Sequence, residues 1–370
     1  MNQTSKNKTL RFVPKISIII VTYNSEQVID ACLQSILHSR SNTDSFEIIF
    51  IDNGSSDKTV AKISNYKNVH IKQLLNKENF GFAKACNQGI QMARGTTILL
   101  VNPDTKLEQN TISRSYAFLH SNPTMGIVGC RIVYPSGQIQ YSCRKFPTLT
   151  GMLASAFGLD KLFPKNKLLG QFKLTYFDYL ENRIVDVVSG AFFMIKKEVI
   201  RDIGPFDENY FMYAEEMDFC YRAKQNGWEI FFYAGTTIEH EEGHAALNRT
   251  IDHEIFLHQH KSTQLFIKKY YSIFKVPFFR LIGLLETGIR MLLYAILYVV
   301  KRDLVSREKC QRYKICFLWY IFSSSDLSQG ALPVASEPYL KYIFPFFLSP
   351  AYSGLFIGET KGKKIIDLEQ

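Results

Sequence analysis

Short runs of strand-type residues alternate with helix-type spacing through the first hundred residues, and this alternation limits the fold more than any other feature. ISIIIVTYN (16–24) reads as a fully buried parallel strand ending in a polar turn. From Glu26 to Leu37 the apolar residues Val28, Ile29, Cys32, Leu33, Ile36 and Leu37 recur at helical intervals. FEIIFIDNGSSDKT (46–59) repeats the scheme, with a helix expected from about Ser56 that Asp57 helps to start. VHIKQLLN (69–76) is a third strand, FGFAKACNQGIQMA (80–93) a third helix and ILLV (98–101) a fourth strand. Strand and helix alternating at this pace predict a parallel sheet with right-handed crossovers.

The fourth strand stops at Asn102-Pro103-Asp104, because Pro103 cannot continue a sheet ladder. Asp104 is thereby delivered to the carboxyl end of a central strand, where open α/β sheets bind their ligands. An acid there suits a cation or a phosphate-bearing substrate; the alternative is a turn residue that caps the next helix. Beyond residue 125 the pattern is mixed. Strands are expected within 126–135, 185–200 and 229–234, with a loop or insertion over 146–182. A helix is expected from near Glu215 to a stop at Asn226-Gly227.

From about residue 250 the chain reads as helical, basic and aromatic. Between Lys261 and Lys314 twelve Lys and Arg face three acids, within a net charge of +10. Such a segment suits an anionic membrane surface or a nucleic acid. Within 274–300, Lys275, Arg280, Glu286 and Arg290 interrupt the apolar run, while Leu285, Ile289, Leu292, Ile296 and Val299 form one stripe. This reads as an amphipathic helix lying on a bilayer, with a core or dimer helix and a true span as alternatives. The seven cysteines are odd in number and lack CxxC spacing, which favours a reducing compartment over a disulfide scaffold. The polar, basic start (1–14) reads as a disordered arm, and the run after it is too short and β-branched for a secretory signal, so a cytoplasmic location is expected.

Seven segments in order, IIIVTYN (18–24), IDNGSSD (51–57), NFGFAKACNQG (79–89), VNPD (101–104), SGAFFMIKKEV (189–199), FMYAEEMDFCYR (211–222) and IEHEEGH (238–244), give the chain its kinship. It resembles the inverting, family 2 glycosyltransferases of the GT-A fold, in particular the rhamnosyltransferase-like branch, over roughly residues 15–245. The resemblance implies a GT-A domain (15–250), a mostly parallel central sheet flanked by helices, followed by a helical basic extension (251–370). It implies a nucleotide-diphosphate sugar as donor and a saccharide or polyprenyl-linked acceptor. The donor site is expected at Thr22, Tyr23, Asn24, Asp52, Asn53, Asn79, Gly81, Asn87 and Asn102. Asp52 would accept the N3–H of uracil or thymine, its alternative being an Asx-turn residue. dTDP-L-rhamnose and UDP-hexoses are the donors the resemblance favours.

The same resemblance puts Asn102-Pro103-Asp104 in the place of the family's Asp-x-Asp, so that the first acid is missing here. Asp104 and His240 are then the expected ligands of Mg²⁺ or Mn²⁺, ions often held by one or two carboxylates plus phosphate oxygens. His240 as a plain loop residue is the alternative. The catalytic base is expected at Glu216, where the family normally carries Asp, and Ser189, Gly190, Ala191 and Glu215 are expected around the sugar and acceptor. The positive end of the helix starting at Glu215 is expected to keep these carboxylates ionised. Asp218 is expected to pair with Arg222.

Other readings weigh against this one. His240-Glu241-Glu242-Gly243-His244 satisfies HExxH, but a zinc hydrolase needs both histidines on one helix, which Gly243 weakens. IDNGSSDKT lacks the Gly-Lys-Ser/Thr of a P-loop, and no GxGxxG follows a strand. No QxxRW motif of processive synthases occurs, which favours single-sugar addition. A catalytically silent nucleotide-sugar binder or assembly scaffold is the rival, on account of the missing first acid and Glu216. The basic tail is expected to serve a membrane surface peripherally or a homodimer, with no nucleic acid as partner.

Overall fold

A computed structural model describes residues 14–39, 45–66, 71–241 and 249–323, with side chains from 253 in the last stretch. The basic arm expected over 1–14 lies outside these residues except for Pro14, as do Glu242 to His244 of the HEEGH run. Residues up to Ile321 belong to one compact unit.

The strands form where β-branched and aromatic residues are buried on both faces. β1 (Ile16–Thr22), β2 (Phe46–Asp52), β3 (Ile71–Leu75) and β4 (Thr97–Val101) are parallel, ordered β3-β2-β1-β4. β10 (Phe192–Lys196) runs antiparallel between β4 and β6 (Met125–Val133). β11 (Glu229–His240) follows β6 in parallel, and the short β5 (Thr105–Leu107) and β8 (Arg183–Ile184) pair antiparallel with β11. A two-stranded sheet joins β7 (Cys143–Arg144) to β9 (Val187–Val188). The α/β class and mostly parallel sheet expected of the GT-A resemblance are present.

Helices cover both faces. α1 (Ile29–His38), α2 (Thr59–Ser64), α3 (Phe82–Met92) and α4 (Thr111–Leu119) fill the crossovers. α1 and α2 begin three residues later than their apolar spacing suggests, because turns precede them: Asp57 accepts from the amides of Thr59 and Glu26. The 146–182 insertion is not all loop; it holds α5 (Leu149–Ala156) and α6 (Leu159–Leu162). α7 (Lys197–Ile203) follows β10, and α8 (Glu215–Gln225) ends before Gly227 at φ +84°, the left-handed stop expected there.

The basic extension is helical as expected through α9 (Arg249–Tyr270), α10 (Val276–Lys301) and α11 (Leu304–Phe322). These helices share the compact unit with the sheet. Phe266 of α9 is fully buried in the main core, and Ser262 donates to the carbonyl of Met212. α8 is locked to α9 through Asp218, which is fully buried and accepts from Arg222 Nε (2.8 Å), Lys269 Nζ (2.6 Å) and Tyr270 Oη (2.7 Å).

α10 is long and apolar enough to cross a membrane. Its charges, however, turn inward. Arg280 donates to the Tyr320 carbonyl, and Arg290 to Ser155 and Tyr313 while pairing with Glu286 at 3.3 Å. The stripe Leu285, Ile289, Leu292, Ile296 and Val299 is 40–65% exposed. This polarity is reversed from that of a helix bordering water. All seven cysteines are buried and free.

Candidate functional site

Strand direction collects the expected residues at one sheet edge. Thr22 and Asp52 are register partners at the carboxyl ends of β1 and β2, and Val101 ends β4 beside them. β10 starts at this edge because Phe192 pairs with Val101, so Ser189, Gly190 and Ala191 enter it there. His240 closes β11 and pairs with Thr105, next to Asp104.

Asp52 is 2% exposed and heavily engaged. Its Oδ1 accepts from Thr22 Oγ1 (2.9 Å) and Ser55 Oγ (2.6 Å), and its Oδ2 from the Ser55 amide (2.8 Å). This is the Asx-turn geometry, and it uses three of the roughly four acceptor positions of a carboxylate. Asn24 adopts φ +47° and accepts from the Ser56 amide, binding the first two turns together; Tyr23 beside it is half-buried. Asn53 donates to the Gly81 carbonyl and accepts from Asn76, and Asn79 accepts from the Gly81 amide. Asn87 holds the 206–208 segment through Phe206 and Glu208. Asn53 and Asn87 thus spend their amides within the fold, shaping the loops that border the edge.

Gly81 has a clear steric reason. Its φ is +85°, and a Cβ would stand 2.3 Å from the Phe211 carbonyl oxygen, to which the Phe82 amide donates (2.6 Å). This contact ties the loop after β3 to the segment that leads into α8. Gly190 faces open space, its nearest would-be neighbour being Phe82 at 3.8 Å.

Asp104 caps no helix, since β5 intervenes before α4 begins at Thr111. Its Oδ1 lies 3.2 Å from His240 Nε2, and Asn102 Nδ2 lies 3.4 Å from the same nitrogen. His240 is on a strand, not in a loop, and is 8% exposed. The helix that HExxH requires is therefore not present at His240, and the zinc-hydrolase reading is corrected on that ground.

Gln140, which the sequence reading missed, fixes the imidazole. Its Nε2 donates to the His240 carbonyl (2.7 Å), so its Oε1, 3.0 Å from His240 Nδ1, must accept. The ring proton is thus on Nδ1, and Nε2 turns a lone pair toward Asp104. With Asn102 Nδ2 the donor near Nε2, a cation could still sit between the imidazole and the Asp104 carboxylate, and the amide behind the imidazole is the support that metal-bound histidines ordinarily have. The donor set of one carboxylate and one imidazole fits a divalent cation that completes its shell with phosphate oxygens. Among the described residues no group of three His, Cys, Asp or Glu side chains forms a fuller cage.

The acid pair at the start of α8 departs from expectation. Ala214 precedes it at φ +62°, and Glu215 Oε2 and Glu216 Oε2 are both buried without a hydrogen-bond partner. Burial pushes both carboxyls up, overriding the backbone amides that favour ionisation at a helix start; Glu215 stands well above the ordinary carboxylate range. Burial thus opposes the ionisation that a helix start favours. Arg144 of β7, also missed, opposes the shift by placing its positive charge near Glu216. A single Arg in a two-residue strand carries no pattern that would have marked it.

Comparison with known proteins was made against this geometry. Residues 17–204 match the model of glycosyl transferase family 2. An N-acetylglucosaminyl-diphospho-decaprenol L-rhamnosyltransferase of Mycobacterium tuberculosis is 26% identical over 271 residues, covering 70% of this chain and 85% of that protein. The low-salt glycan biosynthesis hexosyltransferase Agl10 of Haloferax volcanii is 28% identical over 219 residues, covering 58% and 63%. Among solved structures, a mannosyltransferase of Pyrobaculum calidifontis in complex with GDP-Man and Mn²⁺ superposes with a TM-score of 0.48 at 15% identity, covering 94% of this chain and 84% of that one.

Proposed function

This chain belongs to glycosyl transferase family 2, and on that premise we propose that it moves one sugar from a nucleotide-diphosphate donor to a saccharide or polyprenyl-linked acceptor, with inversion, in cell-surface polysaccharide synthesis. The observation that carries the proposal is the arrival of Asp52, Asp104 and His240 at one sheet edge, with 189–191 entering the same edge. An L-rhamnosyltransferase and a hexosyltransferase among the relatives support dTDP-L-rhamnose and UDP-hexoses as donors.

In this reading Glu216 is the base. Its buried, unpartnered Oε2 accepts the proton of an acceptor hydroxyl as that oxygen attacks the anomeric carbon. The bond from that carbon to the diphosphate oxygen breaks on the opposite face, and the configuration inverts. Asp104 Oδ1 and His240 Nε2 would hold Mg²⁺ or Mn²⁺, which when bound neutralises charge on the departing diphosphate. The charge of Arg144 favours the ionised form of Glu216. Gly190 leaves room beside the sugar.

The outward apolar stripe of α10 supports peripheral attachment at the inner face of the cell membrane, where a lipid-linked acceptor would be met. A thermal-shift screen of nucleotide sugars, with and without Mn²⁺, followed by transfer assays on the stabilising donors tests the whole reading. Stabilisation by a UDP- or dTDP-sugar that grows with Mn²⁺ is expected. No response to any nucleotide would overturn it.

A further inference from the structure

A cavity of about 460 Å³ lies away from the sheet edge, between the start of α5 and the junction of α9 with α10. Its walls carry two lysines, Lys145 and Lys275, together with Thr148 and the aromatic rings of Phe146, Tyr271 and Phe279. Neither lysine forms an ion pair among the described residues. The one acid on the wall, Asp186, is already engaged: Lys224 Nζ pairs with its Oδ1 at 2.5 Å and the Phe146 amide donates to its Oδ2. The cavity is therefore net positive. α5 begins on its wall at Leu149 and α10 begins just after the wall residue Lys275, so their positive ends add to the lysines. Tyr271 Oη donates to the Pro147 carbonyl and fastens the two sides together.

Two directions lead away from this cavity. Along α8, Glu216, Cys220 and Lys224 follow one face at four-residue steps, and Lys224 ends at Asp186 on the cavity wall. Eight residues of helix, about 12 Å of rise, separate Glu216 from Lys224, and Arg144, next in the chain to Lys145 of the wall, places its charge near Glu216. Along α10, the outward apolar side chains begin at Phe278 and Leu281, next to Lys275 and Phe279. The order is a base, a positive cavity and an apolar track.

We propose that this cavity binds the diphosphate of a lipid-linked acceptor, with the acceptor sugar reaching toward Glu216 and the isoprenoid chain following the outer face of α10. The assignment rests on the transferase reading above and names its acceptor class. Lys145 and Lys275 supply charge-assisted hydrogen bonds to the diphosphate, Thr148 and the helix starts supply polar contacts, and the rings cover the first isoprene unit.

The test measures binding of farnesyl diphosphate to the full chain in EDTA, in wild type and in Lys145→Ala, Lys275→Ala and the double variant. Wild type is expected to bind farnesyl diphosphate and not farnesol, and each substitution to weaken binding by about tenfold. UDP binding in Mn²⁺ and the melting temperature are the controls, and both are expected to hold in the variants. Equal affinity for inorganic pyrophosphate would reassign the cavity to free phosphate. Displacement by phosphatidylglycerol vesicles would reassign it to bulk headgroups. Either result, or unchanged farnesyl diphosphate binding in the double variant, overturns the proposal. Loss of UDP binding in wild type would instead strike the transferase reading on which it rests.

Discussion

His240 Nε2 stands 3.2 Å from Asp104 Oδ1, and the Gln140 amide keeps the ring proton on the far nitrogen. In the proposed function one carboxylate would serve a cation here because the imidazole already faces it. His240→Ala is expected to remove most Mn²⁺ affinity measured by titration in the presence of UDP. Gln140→Leu, which touches no cation, is expected to weaken it by about 10- to 100-fold. Equal Mn²⁺ affinity in both variants would refute the role given to this pair.

Glu216→Gln is expected to cut transfer by about 10²- to 10⁴-fold while UDP affinity holds. Burial raises the pKa of Glu216, and the base works ionised, so activity should rise with pH through a limb above the ordinary carboxylate range. Arg144→Met removes the charge that lowers this pKa, and should move the limb to higher pH. A pH–rate profile of both proteins checks the sign.

Stability carries the same signature. Glu215 has a folded pKa raised above its unfolded value, so its contribution is fully present below the unfolded pKa and is lost as pH rises through the folded one. Melting temperature should therefore fall between the ordinary carboxylate range and alkaline pH, and Glu215→Gln should flatten that decline. Melting curves at stepped pH measure it.

Asp218→Ala should be severe, because it removes the buried acceptor that Arg222, Lys269 and Tyr270 share. A cost of about 3–5 kcal/mol is expected by chemical denaturation. Gly81→Ala should also destabilise, by about 2 kcal/mol or more, since both its φ and the Phe211 carbonyl oppose a side chain.

Replacing Leu285, Leu292 and Ile296 with Gln tests the outer face of α10. These side chains are 40–62% exposed, so stability should change little, while flotation with anionic vesicles should drop. Unchanged flotation would exclude this face as the attachment surface.

Much of this was legible from residue order. Buried β-branched runs such as Ile18–Ile20 announce parallel strands, and Pro103 announces where β4 must stop. The acidic start of α8 and its pair Asp218–Arg222 follow from helical spacing alone. What escaped depends on contacts distant in sequence. Gln140 meets His240 across 100 residues, and Arg144 meets Glu216 across two elements with no periodic signature. The upward push on the acid pair escaped because a helix start favours charge, and only the surrounding packing reveals the burial that opposes it. Helix starts at residues 29 and 59 were misjudged because polar turns continue the apolar spacing before the helical hydrogen bonds begin.

Among the described residues β11 is the last strand to be synthesised, yet its final residue supplies the imidazole that faces Asp104. A nascent chain that has emerged only as far as α8 has every earlier strand but no His240. Under the proposed cation role, a chain halted there would hold one of the two ligands, Asp104, and still lack the other.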